Sequence, residues 1–255
     1  MIELKTPAEI AAMREAGRVV ATTLAAVLDA ATTGTSLREL DDLARTVIGD
    51  GGAKPSFLGY HPPFAPTPFP GVICTSVNDV IVHGIPSEYR LADGDLLSID
   101  CGAYIDGWHG DSAISFVVGT ARPDDLRLVD TAQQALTAGI DAARPGNHIG
   151  DIAAAVSAVC RAAGYGIPPD FGGHGIGRAM HEPPGVPNEG RPGNGLPMRP
   201  GLVLAIEPML LAGGQDAYTV GADGWSLSTT DGSRAAHAEH TVSVTESGPE
   251  ILTAP

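Results

Sequence analysis

Basic residues are scarce in this chain. Fifteen lysines and arginines stand against 30 acidic residues over 255 positions, a formal net charge of −15, and a field of that sign repels phosphate backbones and anionic headgroups. Nucleic acid and membrane are therefore not expected as partners. Cysteine is scarcer still. Cys74, Cys101 and Cys160 are odd in number and show no short-range pairing pattern, which excludes a disulfide framework and fits a reducing compartment. No run approaches the roughly 18 apolar residues of a membrane span, and Met1 to Lys5 do not open an apolar leader with a small-residue cleavage site. The cytoplasm is the expected location.

What is present suffices for a core, since 43% of the residues are apolar. The 33 glycines and 21 prolines fall between periodic segments, as frequent turns around a many-stranded core would require. Thr6 and Pro7, followed by Ile10, Met13, Gly17, Val20, Leu24 and Val27, predict a capped amphipathic helix to about Ala30. Ser36 with Glu39 forms a capping-box pattern ahead of Leu40, Leu43 and Val47, and Gly49 to Gly52 end that second helix. Strands are expected over 72–82, 95–104 and 110–119, helices over about 123–143 and 148–163, and further strands near 169–173, 202–211, 225–229 and 239–245.

The order helices, strands, helices, strands suggests a duplication, with halves of about 1–120 and 121–255 in a single domain. Gly34, Leu37, Leu40, Ala44 and Val47 recur 112 positions later as Gly146, Ile149, Ile152, Val156 and Val159. Residues 93–100 resemble 200–207 at a shift of 107, each run ending on a carboxylate, Asp100 or Glu207. His109-Gly110-Asp111 resembles His237-Ala238-Glu239 at a shift of 128, each opening an apolar strand.

Side chains alternate between the faces of a strand, so Leu97 and Ile99 point away from Asp100, and Leu204 and Ile206 away from Glu207. Ile114, Phe116 and Val118 oppose Asp111 in the same way, and Val242 and Val244 oppose Glu239. One sheet face is then free to pack on helices while the other collects four carboxylates. Such a cluster cannot remain ionised without compensation; either several of the acids are protonated or cations sit among them. No lysine or arginine lies between Ser98 and Val118, which favours divalent metals, and first-row ions would add a softer ligand. The histidine candidates are His174 in a glycine run, His181 seven residues on, and His83 beside a turn. The glycine setting singles out His174; spacing alone leaves His83 and His181 open between a functional and a structural role.

Several motifs now stand in order: His83-Gly84-Ile85-Pro86, Asp100 with Asp111, Gly173-His174-Gly175-Ile176-Gly177, His181-Glu182-Pro183-Pro184, Ile206-Glu207-Pro208 and Glu239-His240-Thr241. Together they strongly resemble the type I methionine aminopeptidases of the pita-bread fold, over essentially the whole chain. The resemblance implies an α+β architecture with a central antiparallel sheet covered by helices on one face. It implies two divalent transition-metal ions (Mn, Fe, Co or Zn) bridged by Asp111 and Glu239, with Asp100 completing one site and His174 with Glu207 the other. Glu207 would shuttle the proton of the attacking water, His181 would meet the scissile carbonyl, and His83 would contact the amide of the second residue. The substrate's free α-amine would ligate a metal. Tyr60, Cys74, Trp225 and Phe69 would wall a methionine pocket. The expected substrates are Met-starting peptides and the N-termini of nascent polypeptides with a small second residue, and the expected state is a monomer.

The chain departs from that pattern after Tyr60, where residues 61–70 form a long loop with five prolines. The resemblance alone does not assign the pocket's aromatic place to Phe64 or Phe69. The loop reads as a rigid rim, with a polyproline-type ligand as the other reading. Met180 stands before His181, where the related enzymes often carry Phe. Two further readings compete: an X-Pro aminopeptidase or prolidase, whose members usually carry a large N-terminal domain, and a non-catalytic pita-bread binding protein, which the intact ligand set argues against.

Overall fold

A computed structural model describes residues 2–254. The first half contains helices α1 (Pro7–Ala30) and α2 (Leu37–Asp50) and strands β1 (Lys54–Pro55), β2 (Ile73–Val77), β3 (Val80–Val82), β4 (Leu96–Ile105) and β5 (Trp108–Val117). The second contains α3 (Pro123–Ala142), α4 (Ile149–Ala162), β6 (Gly172–Gly175), β7 (Glu182–Pro187), β8 (Val203–Ile206) and β9 (Met209–Leu211). It continues through β10 (Tyr218–Val220), β11 (Leu227–Thr229), β12 (Ala235–His237), β13 (Glu239–Thr245) and β14 (Gly248–Ile251).

The helices begin where their caps place them. Thr6 and Ser36 each accept from the backbone of a glutamate three residues on, Glu9 and Glu39, whose carboxylate answers the cap's own N–H. The second half repeats this cap: Asp151 accepts from the His148 N–H at 2.6 Å, as Glu39 does from the Ser36 N–H at 2.6 Å. Leu40, Ala44 and Ile48 of α2, with Val20 and Leu24 of α1, pack against Leu97, Ile99 and Cys101 of β4. In the second half Leu128 and Leu136 of α3 and Ile152 and Val156 of α4 pack against Leu204, Ile206, Val242 and Val244.

Nine strands form one antiparallel sheet, ordered β1-β4-β5-β13-β8-β6-β7, with β2 also on β4 and β14 on β13. The halves join where β5 meets β13. The strand expected over 72–82 is divided by a turn at Asn78, whose φ of 57° is left-handed. The one expected over 202–211 is divided at Pro208, which offers no N–H to a ladder. The strand expected at 169–173 lies at Gly172–Gly175 instead. The short strands β7, β10, β12 and β14 lack the length or alternation that announces a strand, and β7 contains three prolines.

Helix α1 approaches the sheet closely enough to bring backbone against backbone. A Cβ on Gly17 would run into the Leu252 carbonyl, and one on Gly110 would lie 2.9 Å from the Gly17 nitrogen. This contact seats α1 on the strand that carries Asp111. Gly17→Ala is therefore expected to lower stability by about 1–3 kcal/mol through overpacking, although the same change in an unpacked helix gains up to about 1 kcal/mol. Equilibrium denaturation measures it; an unchanged or raised midpoint would show that α1 has room to move.

Candidate metal centre

A two-residue turn sets the first pair of acids. Asp106 and Gly107, with φ of 49° and 91°, reverse the chain between β4 and β5 and pair Ile105 with Trp108. In the resulting register Asp100 lies opposite Ala113 and Asp111 opposite Gly102, so both carboxylates project from one face. Glu239 also pairs with Ala113, from the other side. Beyond it, His240 pairs with Ile206, which brings Glu207, just past the end of β8, to the level of Glu239. His174 pairs with Ala205, two residues before Glu207. The positions between the acids and His174 are small, Gly102, Ala113 and Ala205, so the long side chains meet in front of the sheet.

Backbone and side-chain bonds hold these positions from behind. Thr241 Oγ1 donates to the Asp111 carbonyl at 2.8 Å and accepts from the Asp111 N–H at 3.0 Å. Ser112 Oγ donates to the Glu239 carbonyl at 2.6 Å. Glu207 precedes a proline, and the side-chain amide of buried Asn188 donates to its carbonyl at 2.9 Å.

Among the described residues, the ion-pair partners within 4.0 Å of these four carboxylates are two imidazoles, His174 and His237. Burial raises the pKa of Asp100 to about 7 and that of Glu207 to about 8, and carries Asp111 and Glu239 well above the carboxylate range, with neighbouring acids adding to the shift for Asp111 and Glu239. Asp100 Oδ1, Asp111 Oδ1 and Glu239 Oε1 are buried with no hydrogen-bond partner among the described residues. His174 Nδ1 lies 2.9 Å from the Gly175 carbonyl; an acceptor there requires Nδ1 to carry the hydrogen, so Nε2 presents a lone pair. That Nε2 is 3.8 Å from Asp111 Oδ2 and 3.7 Å from Glu207 Oε1. Asp111, His174 and Glu239 each offer an atom within 4.8 Å of the others. Unpartnered carboxylate oxygens converging with a bare imidazole nitrogen are the donor set of a divalent cation, and the residues fit one.

In front of the acids lies a cavity of about 300 Å³, and all eleven residues singled out from the sequence line it: the five just described together with Tyr60, Phe69, Cys74, His83, His181 and Trp225. His83 holds a left-handed φ of 61°, and its ring meets Trp225 edge-on at 6.2 Å. Burial lowers its pKa to about 4 and that of His174 to about 3. His181 stacks on Tyr60 at 5.1 Å and leans on His174 at 4.1 Å. One side of it is open to solvent, and the protein around the remainder lowers its pKa to about 4. Phe69 is buried against Trp225 at 5.1 Å, while Phe64, 66% exposed, stands at the rim and touches Trp225 at 6.0 Å. The proline-rich loop is tied to this wall by the Trp225 indole N–H, which donates to the Thr67 carbonyl at 3.0 Å.

Residues 11–246 match Metallopeptidase family M24. The chain belongs to this family. It is 49% identical to a methionine aminopeptidase 1 of Mycobacterium tuberculosis over 99% of this chain and 95% of that one. Its fold superposes on methionine aminopeptidase of Thermotoga maritima with a TM-score of 0.95 and 37% identity, covering all of both chains. A prolidase of Pyrococcus furiosus shares the fold at a TM-score of 0.80 with 22% identity, and this chain covers 65% of it. The M24 pita-bread architecture expected from the sequence is the one found.

Three residues of the centre were given no role in the sequence reading. Asn188 left no signal, because its partner is a backbone carbonyl 19 residues away. Thr241 and His237 stand two positions after and before Glu239, and strand parity draws attention to both. His237 entered the reading as a marker of the repeat and Thr241 as the end of the Glu239-His240-Thr241 motif.

Protons on these acids must leave when a cation enters. Titration of the metal-stripped protein with Mn²⁺ is expected to release protons at about pH 6.5 and fewer at about pH 9, since raised carboxylate pKa values mean protonation below them and ionisation above. Calorimetry in buffers of different ionisation enthalpy measures the count; release that does not fall with pH would contradict the raised values.

Proposed function

We propose that this chain removes the N-terminal methionine from peptides by metal-assisted hydrolysis, as a single catalytic domain to which both halves contribute. The observation that carries the reading is the convergence of four carboxylates and a lone-pair imidazole at the floor of an aromatic cavity. Asp111 and Glu239 would bridge two divalent ions, Asp100 would complete one site, and His174 with Glu207 the other. When bound, such ions supply Lewis-acid activation of water and of the carbonyl to be cleaved.

The protein's own groups do the rest. Glu207 accepts the proton of the attacking water and passes it to the departing amine, so the peptide C–N bond breaks with the charge balanced. His181, neutral because its pKa lies near 4, donates an N–H to the carbonyl oxygen as negative charge develops there. His83 contacts the amide of the second residue. A free α-amine seats on the acidic floor, which confines cleavage to the first residue. Tyr60, Phe69, Cys74 and Trp225 would hold the methionine side chain; aromatic faces and a polarisable thiol suit a thioether. Phe69 takes the wall and Phe64 the rim.

The relatives named methionine aminopeptidase match the chain end to end, whereas the prolidase is similar in fold alone and is longer. This favours methionine over X-Pro substrates. Among the described residues no helix is long and apolar enough to cross a membrane. A monomer working on nascent chains in the cytoplasm, with Mn, Fe, Co or Zn, fits the acidic charge and the ligand set.

Release of methionine from a Met-Ala peptide is expected to cease on chelation and to return with at least one of Mn²⁺, Fe²⁺, Co²⁺ or Zn²⁺. Full activity after exhaustive chelation would overturn the metal mechanism, and a preference for X-Pro peptides would overturn the substrate. His181→Ala is expected to lower kcat by about 10²–10³ while calorimetric metal binding stays as in the wild type; loss of the metal instead would place His181 among the ligands.

A further inference from the structure

His237 lies outside the cavity lining and closes the back of the centre. It ends β12 and is 1% exposed. Its backbone is gripped by Ser115, whose Oγ accepts from the His237 N–H at 2.9 Å and donates to the His237 carbonyl at 2.7 Å. Its Nε2 has no hydrogen-bond partner among the described residues, and faces Glu207 Oε2 at 3.3 Å and Glu239 Oε2 at 4.0 Å. The other oxygen of Glu207, Oε1, faces His174 Nε2 at 3.7 Å. The two oxygens of one carboxylate thus address two imidazoles.

Those imidazoles are not equivalent. His174 gives its Nδ1 hydrogen to a backbone carbonyl and presents a lone pair to the acids. Once a cation has ionised the acids, a lone pair on His237 Nε2 would point at the lone pairs of two carboxylate oxygens and repel both. A hydrogen there attracts both, and Oε2 of Glu207, at 3.3 Å, is the nearer acceptor. An N–H donor behind a carboxylate fixes which oxygen is presented forward.

We propose that His237 is a positioning residue for Glu207, donating Nε2–H to Oε2 and so presenting Oε1 on the side of His174, where the two would hold an ion. The inference rests on the reading of Glu207 as a metal ligand. It assigns His237 to holding a ligand, not to ligation itself.

The test compares wild type, His237→Gln and His237→Leu, each stripped of metal and titrated calorimetrically with Co²⁺, with X-ray absorption counting histidine nitrogens on the bound metal. His237→Leu is expected to weaken one of the two ions by about 10–100-fold. His237→Gln, whose amide N–H reaches the same oxygen, is expected to stay within a few-fold of wild type, and the histidine count should be the same in all three. Thermal melting of the stripped proteins checks folding, and His237→Met, also without a donor, replaces the Leu variant if that one does not fold. Wild-type affinities in the no-donor variant would overturn the proposal. So would loss of a histidine nitrogen in both the Gln and no-donor variants, which would make His237 a ligand. If wild type binds no Co²⁺, the metal reading and this inference fall together; if wild type binds and the variants match it, only the inference fails.

Discussion

Four carboxylates face one another in the interior of this protein with no guanidinium or ammonium group within ion-pair distance among the described residues. Ionised and uncompensated, they would be costly, because desolvation and mutual repulsion act in the same direction. Their raised proton affinity expresses that cost, and a divalent cation relieves it by supplying the positive charge the sequence withholds. Much of the surrounding structure follows from keeping this cluster together. The helices occupy the opposite face of the sheet, the residues between the acids are small, and hydroxyls from neighbouring strands clamp the backbones of Asp111 and Glu239.

Neither half holds the centre alone. Asp100 and Asp111 come from one hairpin, Glu207 and Glu239 from the other half, and their meeting depends on the short ladder between β5 and β13. That ladder is reinforced by side chains: Thr241 and Ser112 bond across it to the strands that bear the acids. The imidazoles complete the arrangement in the neutral form. Burial lowers their pKa values, so they serve as directional donors or acceptors without adding charge of their own, and the acidic floor retains its demand for a cation.

The legible part of the fold was the part written locally. All four helices lie within about two residues of the expected bounds, because caps and helical phase are properties of neighbouring residues. The two long strands β4 and β5 were equally visible, through the alternation of Leu97 and Ile99 with Asp100 and of Ile114 and Phe116 with Asp111. Strands β7, β10, β12 and β14 were not, since runs of three or four residues, or one broken by prolines as in β7, carry no period, and what makes them strands is a partner from elsewhere in the chain.

By itself the sequence determined the four carboxylates, their order and their common face, because strand parity is a rule about adjacent residues that holds in any extended chain. It also determined the absence of compensating lysines and arginines around the first pair of acids. Only the tertiary structure decided that Phe69 is the buried wall and Phe64 the exposed rim, that Asn188 secures Glu207, and that His237 turns its Nε2 to Glu207 Oε2 while His174 takes the other side. These depend on distances between segments separated by tens of residues or more, which packing and strand register set and local pattern does not encode.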